Sequence, residues 1–231
     1  MPIEPPPSPW RFPALDQADE QGFVAAGADA EPATLLAAYR HGLFPMPIEP
    51  GGPLGWWSPD PRGVLDLEQV HVSRSLAKSM RQFEFRIDTA FDEVVAGCAD
   101  PRRPHGWIDA TIIAAYRRLF DMGWAHSIET WKDGQLVGGL YGLAIGGLFA
   151  AESKFHTATD ASKAAVVALS RGFADQFPRL IDVQWRTDHL GTLGVKEISR
   201  KEYEQRLRTV LASPPSPLFG QQTPTITIGP A

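Results

Sequence analysis

The sequence contains a single cysteine, Cys98, in 231 residues. One cysteine cannot form an internal disulfide or a cysteine-based metal site, and such scarcity favours a reducing, cytoplasmic compartment. No hydrophobic run approaches the length of a membrane-spanning helix. The acidic, proline-rich start MPIEPPPSPW lacks the apolar segment of a signal peptide. We therefore expect a cytoplasmic protein that does not interact with a membrane.

Motifs for several common kinds of chemistry are also missing. The glycine pairs at 138–139 and 146–147 lie in apolar segments and lack the GK[ST] ending of a phosphate-binding loop, so they indicate close packing of strands. His71, His126, His156 and His189 do not show the spacing of metal ligands, and neither Ser58 nor Ser162 has a recognisable partner base. The formal net charge of −5 argues against indiscriminate binding of nucleic acid.

The distribution of proline and apolar residues divides the chain into four parts. Residues 1–11 are predicted to form a disordered, extended tail, because proline and its neighbours exclude helix. Residues 12–61 are predicted to be a small N-terminal domain ordered by aromatic packing, with a helix from Pro32 that stops at Gly42. Residues 62–212 show the pattern of a larger α/β domain, and residues 213–231 are predicted to be a mobile, proline-rich tail.

The segment 135–184 predicts a unit of strand, strand, helix and strand. Two glycine-spaced apolar runs, 135–145 and 148–154, favour adjacent strands that turn at the glycine pair between them. Asp160 is placed to cap a long helix of small and aliphatic residues, and Leu180–Gln184 is predicted to return as a third strand. This unit is predicted to be the centre of the fold.

Further helices are predicted from capping residues on either side of that unit. Asp88 is placed to cap a helix that runs through Cys98, and Asp109 is placed to cap the next one. Ser199 and Glu202 have the spacing of a capping box at the start of the last helix. Strands are predicted over 83–87 and 125–131, so the larger domain mixes helices and strands throughout.

Three polar residues interrupt the apolar strands of the central unit, namely Glu152, Asp182 and Gln184. Residues two apart on a strand face the same side, so Asp182 and Gln184 are predicted to point the same way, as are Glu152 and Lys154. Buried polar groups of this kind are candidates for chemistry. The alternatives are a buried, mutually satisfied pair for Asp182 and Gln184 and a solvated strand end for Glu152.

A basic helix is predicted over Ser73–Gln82. Arg74, Lys78 and Arg81 follow one another at spacings of four and three, which places them along one helix face. Such a face can bind nucleic-acid phosphates without reading bases, or it can simply be solvated. A local basic face on an acidic protein favours a selective contact with a polyanion.

Several phrases of the sequence, taken in order, resemble the leucyl/phenylalanyl-tRNA–protein transferase family. The resemblance covers about residues 12–211 and rests on LLAAYRHGLFP, WWSPDPRGVL, HVSRSL, WIDATIIAAYRRL, GWAHSIETW, LVGGLYGLAIGGLFAAES, DASKAA, LIDVQ and DHLGTLG. It implies an α+β fold: a GNAT-like mixed sheet with flanking helices, preceded by a small N-terminal α/β domain. It also implies transfer of leucine or phenylalanine, and possibly methionine, from aminoacyl-tRNA to proteins that begin with Arg or Lys, which marks them for degradation.

The resemblance also implies roles for particular residues. The expected reaction is aminolysis of an activated ester, which needs no ATP, metal, cofactor or covalent intermediate. Gln184 would orient the attacking amine, while Asp182 would fix the position of Gln184 or receive the proton through a relay. Glu152 would hold the cationic N-terminal residue of the acceptor. Arg74, Lys78 and Arg81 would contact tRNA phosphates.

The resemblance further implies a set of residues that bind the terminal adenosine or line the pocket for the amino-acid side chain, each of which also suits a hydrophobic core: Met46, Trp107, Tyr116, Leu140, Phe149, Leu169 and Ile181. Two positions depart from the family pattern. Met46 stands where relatives typically carry a tryptophan that packs the adenine, a role that Trp56 or Trp57 could supply here. Lys154 stands where methionine is usual, which affects the predicted choice among Leu, Phe and Met.

Two other functions remain open on the sequence. A CoA-dependent acyltransferase is disfavoured, because the segment SKFHTATDASK lacks the glycine turn that binds pyrophosphate. A degenerate module that only binds tRNA or protein N-termini is disfavoured by the presence of both Asp182 and Gln184. We expect a monomer.

Overall fold

The computed structural model describes residues 1–49, 51–102 and 106–220. It contains seven α-helices, which are α1 Pro32–His41, α2 Arg74–Met80, α3 Phe91–Cys98, α4 Ala110–Asp121, α5 Ala161–Phe173, α6 Asp188–Gly191 and α7 Arg200–Leu211. Its strands are β1 Phe23–Ala26, β2 Phe44–Pro47, β3 Leu54–Trp57, β4 Arg62–Leu65, β5 Glu84–Ile87, β6 Ala125–Lys132, β7 Gln135–Ile145, β8 Leu148–His156, β9 Leu180–Gln184 and β10 Lys196–Ile198. These counts apply to the described ranges.

The N-terminal part forms a three-stranded antiparallel sheet in the order β1-β3-β2, with α1 beside it. Trp56 is buried in this part, edge-to-face on Phe12 at 4.8 Å, and its Nε1 donates to the carbonyl of Gly27 at 2.8 Å. The predicted helix is confirmed: Pro32 occupies its first turn, and Gly42 ends it with a φ of 92°.

The larger sheet has seven strands in the order β10-β4-β9-β8-β7-β6-β5. Every neighbouring pair is antiparallel except β8 and β9, which run parallel and are joined by the crossover helix α5. The predicted mixed α+β architecture is therefore confirmed. The parallel pairing is short, from Leu148 opposite Leu180 to Ala150 opposite Asp182.

Helices cover both faces of this sheet. Helices α3, α4 and α7 pack with α1 on one face, around buried side chains such as Tyr116 and Tyr141. Helices α2 and α5 cover the other face, where Leu76 and Leu169 are buried. Within the described ranges, the helices are too short or too polar to cross a membrane.

The predicted element types agree with the structure, whereas two predicted caps are wrong. The strands 135–145 and 180–184 have the predicted bounds, and Asp109 caps α4 by accepting from the backbone nitrogen of Ile112 at 2.9 Å. Asp88 and Asp160 do not cap, because both have a left-handed backbone, with φ of 57° and 66°. Their carboxylates instead bind distant groups, Asp88 the backbone nitrogen of Ser127 and Asp160 the hydroxyl of Ser79.

Other boundaries shift by a few residues. Helix α3 begins at Phe91, three residues after Asp88, and α2 spans only Arg74–Met80 of the predicted 73–82. Half of the predicted capping box forms: Ser199 accepts from the backbone nitrogen of Glu202 at 3.2 Å, while the Glu202 side chain binds Arg206.

The segments predicted as tails lie against the larger part of the protein where they are described. Residues 1–11 contain no helix or strand, and the backbone of Ile3 pairs with Met122 O and Trp124 Nε1. At the other end, a 3₁₀ helix over Pro217–Gly220 packs Phe219 on His126 at 4.2 Å. Residues 221–231 of the predicted tail lie outside the described residues. The domain boundaries and the mobility of the tails stay predictions.

Candidate active site

A pocket of about 190 Å³ opens where β8 and β9 separate beyond their parallel pairing. Its polar wall contains Glu152, Lys154, Gln184 and Thr187, and its apolar wall contains Phe44, Met46, Trp107, Leu140, Val166, Val183, Trp185 and Leu190. One wall comes from β2 of the N-terminal part, Trp107 comes from the segment before α4, and the rest comes from the larger sheet, α5 and the segment around α6. Such a concave site with few polar groups is typical of a small-ligand pocket.

Two β-bulges shape this pocket. Glu152 is an extra residue in the β7–β8 pairing, where Tyr141 faces Ser153 but Gly142 faces Ala151. Val183 is an extra residue in the β4–β9 pairing, where Val64 faces Asp182 but Gly63 faces Gln184. A bulge bends its strand and redirects the side chains beyond it. The bulges therefore account for polar side chains at one opening in an otherwise apolar sheet.

Glycine permits the close backbone contacts at both bulges. A Cβ on Gly142 would collide with the backbone carbonyl of Ala150. A Cβ on Gly63 would lie 2.8 Å from Arg186 N, which follows the turn of the chain at Gln184.

Asp182 is completely buried and its carboxylate is fully hydrogen bonded. Arg62 donates to both oxygens, from Nε to Oδ1 at 2.9 Å and from Nη2 to Oδ2 at 2.7 Å. Tyr203 donates to Oδ2 at 2.8 Å, and the backbone nitrogen of Gln184 donates to Oδ1 at 3.0 Å. Burial lowers the pKa of Arg62, but the charge and hydrogen bonds of Asp182 together with the hydroxyl of Tyr203 outweigh this, so the pKa of Arg62 lies above its usual value.

Gln184 has a left-handed backbone, with φ of 59°, which is uncommon for a residue other than glycine. Its side chain lines the pocket, whereas that of Asp182 does not. The prediction that the two side chains share a face is therefore wrong, because the bulge at Val183 and the turned backbone break the two-residue alternation.

The side-chain amide of Gln184 is oriented by two backbone carbonyls. In the orientation that satisfies its hydrogen bonds, Nε2 donates to Ala151 O and Val183 O, at 3.0 Å each. The opposite orientation offers Nε2 only a 3.5 Å contact with Oε1 of Glu152. The amide oxygen therefore occupies the position beside Glu152, where it can accept a hydrogen bond.

Glu152 is half-buried at the floor of the pocket. Tyr116 donates to its Oε2 at 2.9 Å, and the hydroxyls of Tyr116 and Tyr39 share a short hydrogen bond. Burial raises the pKa of Glu152 to about 7, although the hydroxyls of Tyr39 and Tyr116 act in the opposite direction. Glu152 is therefore poised to change charge near neutral pH.

The residues predicted to bind substrate fall into three groups. Met46, Trp107 and Leu140 line the pocket. Tyr116 reaches it only through Glu152. The remaining residues, Phe149, Leu169 and Ile181, are fully buried behind the pocket in the core beside α5.

The tryptophans considered as substitutes at position 46 do not line the pocket. Trp56 is buried, and Trp57 donates from Nε1 to the carbonyl of Met46 at 3.0 Å. Lys154 lines the same pocket as Glu152, but so do Ala151 and Ser153 between and beside them, so the shared face of Glu152 and Lys154 stays a prediction.

The basic residues Arg74, Lys78 and Arg81 are exposed along α2 and its C-terminal end. Across the described ranges, none of the three has a salt-bridge partner. Leu76 and Met80 hold the opposite side of the helix in the core. The three charges are thus free to meet an external polyanion.

Sequence reasoning missed four residues of the site. Arg62 and Tyr203 enclose Asp182, Tyr39 supports Tyr116, and Trp185 forms part of the mouth, edge-to-face on Phe44 at 5.0 Å. Arg62 carries a usable signal, since it is a charged residue at the start of an apolar strand. Tyr39 and Tyr203 come from α1 and α7, far away in sequence, and no local pattern points to them.

These features define an α+β protein with a ligand pocket where two parallel strands separate. Sequence comparison supplies the family. Residues 28–60 match the N-terminal domain of leucyl/phenylalanyl-tRNA protein transferase, and residues 64–208 match the family's main domain. The chain belongs to the leucyl/phenylalanyl-tRNA protein transferase family.

Individual relatives agree with this assignment. The chain is 49% identical over 212 residues to the leucyl/phenylalanyl-tRNA–protein transferase of Thiobacillus denitrificans, covering 89% of this chain and 92% of that one. It is 49% identical over 209 residues to the transferase of Stutzerimonas stutzeri, covering 88% of this chain and 92% of that one.

A solved structure, the C-terminal domain of a putative lysylphosphatidylglycerol synthetase from Agrobacterium fabrum, is similar at a TM-score of 0.38 with 11% identity, covering 84% of this chain and 64% of that one.

Proposed function

We propose that this protein transfers leucine or phenylalanine from an aminoacyl-tRNA to the α-amine of proteins that begin with Arg or Lys. In this reaction the neutral amine attacks the ester carbonyl of the aminoacyl-tRNA. A C–N bond forms, the C–O bond to the tRNA ribose breaks, and the proton lost by the amine balances the one gained by the ribose oxygen. Family membership supports this activity.

The observation that carries the proposal is the pair of hydrogen-bond acceptors at the pocket floor. The amide oxygen of Gln184 lies beside Oε1 of Glu152, and neither atom can donate to the other while Glu152 is ionised. A ligand with N–H donors satisfies both, and an amine is such a ligand. The α-amine has an ordinary pKa of roughly 7.7–8.0, so an appreciable neutral fraction exists at neutral pH.

We propose a positioning role for Asp182. Its four hydrogen bonds and complete burial leave no oxygen accessible to the substrate or to a proton relay. By binding the backbone nitrogen of Gln184, it holds that residue in its turned conformation. Gln184 then orients the amine, and Glu152 provides the negative charge for the cationic N-terminal residue. Catalysis in this scheme comes mainly from juxtaposition of the two reactants.

The apolar walls of the pocket suit the aminoacyl-tRNA, which is the donor of the reaction. Met46, Trp107 and Leu140 offer apolar surface for the amino-acid side chain and the terminal adenine. We propose that the larger sheet is GNAT-like, which is supported by its single parallel strand pair, the crossover helix α5 and the separation of β8 from β9 at the pocket. We further propose that the protein acts as a cytoplasmic monomer without metal or cofactor, because an aminoacyl ester is already activated.

A transfer assay tests this function directly. Labelled leucine would be offered on leucyl-tRNA to two peptides that differ only in an N-terminal Arg or Ala, without ATP or metal, with Phe-tRNA and Met-tRNA in parallel. We expect label on the Arg peptide alone. Absence of label, with tRNA still bound, would instead support a module that only binds tRNA. Transfer of acetyl from acetyl-CoA would support a CoA-dependent acyltransferase.

Removing two charges from α2 should weaken tRNA binding. For Arg74→Ala with Lys78→Ala we expect a roughly tenfold loss of affinity, and the slope of log affinity against log salt should become shallower by about 2, since two phosphate contacts are lost. The measurement is a filter-binding titration at several salt concentrations. Lys201→Ala with Arg208→Ala is the matched control, because both residues are exposed on α7 outside the pocket. Equal effects of the two double variants would contradict a specific role for α2.

A further inference from the structure

A second cavity, of about 490 Å³, lies next to the pocket, between α2, α5 and the turn that follows α6. We call it the α2–α5 groove. Ser73 and Ser75 line it from α2 and the residue before it, Lys163 and Asp160 line it from the start of α5, and Thr192 lines it from the turn. Its lining contains hydroxyl groups and glycine backbone and no Phe, Trp or Tyr, in contrast to the aromatic mouth of the pocket.

The groove and the pocket share their walls. On α5, Val166 lines the pocket and Lys163 lines the groove. Lys163 precedes Val166 by three residues, which is about 4.5 Å along the helix axis. On α6, Leu190 lines the pocket and the next residue, Gly191, lines the groove. A chain that leaves the pocket past α6 therefore enters the groove within the length of about one nucleotide, and α2 lies on its far side.

Lysine side chains stand on both sides of the boundary between the two cavities, Lys154 in the pocket and Lys163 in the groove. Lys163 has no salt-bridge partner among the described residues. The pKa of His189 is lowered by its burial and by the nearby charges of Lys154, Lys163 and His156, which together outweigh the opposite effect of Asp160. The one acidic side chain in the groove, Asp160, accepts a hydrogen bond from Ser79 at 2.8 Å. An anion is the ligand that this arrangement favours.

We propose that the α2–α5 groove carries the phosphodiester backbone of the unpaired 3′ end of the donor tRNA, and that Lys163 binds the phosphate next to the nucleotide held in the pocket. This inference rests on the proposed function. The exposed charges of α2 suit the duplex, the pocket suits the terminal nucleotide, and the groove spans the distance between them. The groove offers hydroxyls and the cation of Lys163, and its one aromatic ring is that of His71. It would therefore hold the backbone of the chain rather than stack successive bases.

Donors of different length test the role of Lys163. The wild type and Lys163→Gln would be compared in leucine transfer from leucyl-tRNA, from the trinucleotide CCA esterified with leucine, and from leucyl-adenosine, which has no phosphate. We expect Lys163→Gln to lower kcat/KM about tenfold for the first two donors, as for one lost charge-assisted contact, and to leave leucyl-adenosine unchanged. The salt slope for the trinucleotide should become shallower by about 0.7.

Two further variants complete the test. Lys163→Arg should restore most of the loss, because it keeps the charge. Lys201→Gln, which removes a charge from exposed α7, should change nothing. An equal loss on all three donors would make Lys163 a structural support of α5 and overturn the proposal, as would no loss on any of them. If the wild type transfers leucine from none of the donors, the proposed function itself fails and the groove proposal with it.

Discussion

Replacing Asp182 by alanine is expected to lower the free energy of unfolding by about 3–5 kcal/mol, because it leaves the guanidinium of Arg62 buried without a counter-charge. Arg62 is fully buried, and its other hydrogen bonds, to Gly42 O at 3.2 Å and to Tyr203 at 3.4 Å, involve uncharged groups. The ring faces of Phe44 and Tyr203, at 4.9 and 4.3 Å, offset only part of the loss. Urea denaturation followed by fluorescence measures the change.

A double variant separates stability from activity. Arg62→Met with Asp182→Leu removes both charges, and we expect it to recover most of the stability, since replacing a buried ion pair by apolar groups is often neutral. We expect transfer to stay low in the double variant, because the backbone nitrogen of Gln184 then loses its acceptor. Full activity of the double variant would contradict the positioning role of Asp182. A loss below about 1 kcal/mol in Asp182→Ala would show that the site is open to water.

The fold was predictable where a signal is local. The strands 135–145 and 180–184 follow from runs of apolar residues, and Asp109 caps α4 because it stands directly before a helical pattern. Asp88 and Asp160 also stand shortly before helical patterns, but they do not cap those helices. Their left-handed backbone directs each carboxylate to a hydrogen bond with another element. Local patterns do not reveal such competition by distant partners.

The site was predictable only in part, for a related reason. Glu152, Asp182 and Gln184 stand out as polar residues in apolar strands, which is a local signal. Their orientation depends on two bulges, and a bulge is set by which strands pair and in which register. The partners that hold them, such as Arg62 and Tyr203 for Asp182, come together only in the folded chain.

The contrast between the two carboxylates of the site follows from those partners. Asp182 is paired with the permanent cation of Arg62 and is closed to solvent, so it serves the structure and not the ligand. Glu152 accepts a hydrogen bond from the neutral hydroxyl of Tyr116 and faces the pocket. A carboxylate whose pKa is raised by burial, and which faces a pocket, is the one that a cationic ligand stabilises most.

The ionised form of Glu152, which is the form that would bind a cationic acceptor, should therefore lower the stability of the folded protein. The pKa of Glu152 is about 7 in the folded protein, against an ordinary value of 4.5. Between these values the folded state binds more protons than the unfolded state, so the contribution of Glu152 to stability falls as the pH rises through this window. Glu152→Gln should remove that pH dependence and make the protein more stable than wild type above pH 7, by up to about 3 kcal/mol. Urea titrations of both proteins at pH 5 and pH 8 measure this difference.

The same variant should lose most of its activity toward cationic acceptors. We expect kcat/KM for a peptide with N-terminal Arg to fall roughly 100-fold in Glu152→Gln, because the cation loses its only counter-charge in the pocket. A peptide with N-terminal citrulline, the neutral isostere of Arg, is the matched control and should lose much less. The variant should therefore barely distinguish the two peptides, and continued preference for Arg would assign recognition of the cation to another group.

The ratio of the two peptides also isolates the ionisation of Glu152. Both peptides carry the same α-amine, so its titration affects both rates alike and cancels in the ratio of Arg to citrulline transfer. In the wild type this ratio should rise about tenfold between pH 6 and pH 8, as Glu152 loses its proton around pH 7. In Glu152→Gln the ratio should stay flat. A flat ratio in the wild type would mean that Glu152 is already ionised at pH 6 and that the pocket is better hydrated than its burial indicates. A rising ratio that Glu152→Gln abolishes would tie acceptor choice to Glu152, the one carboxylate among the described residues that line the pocket.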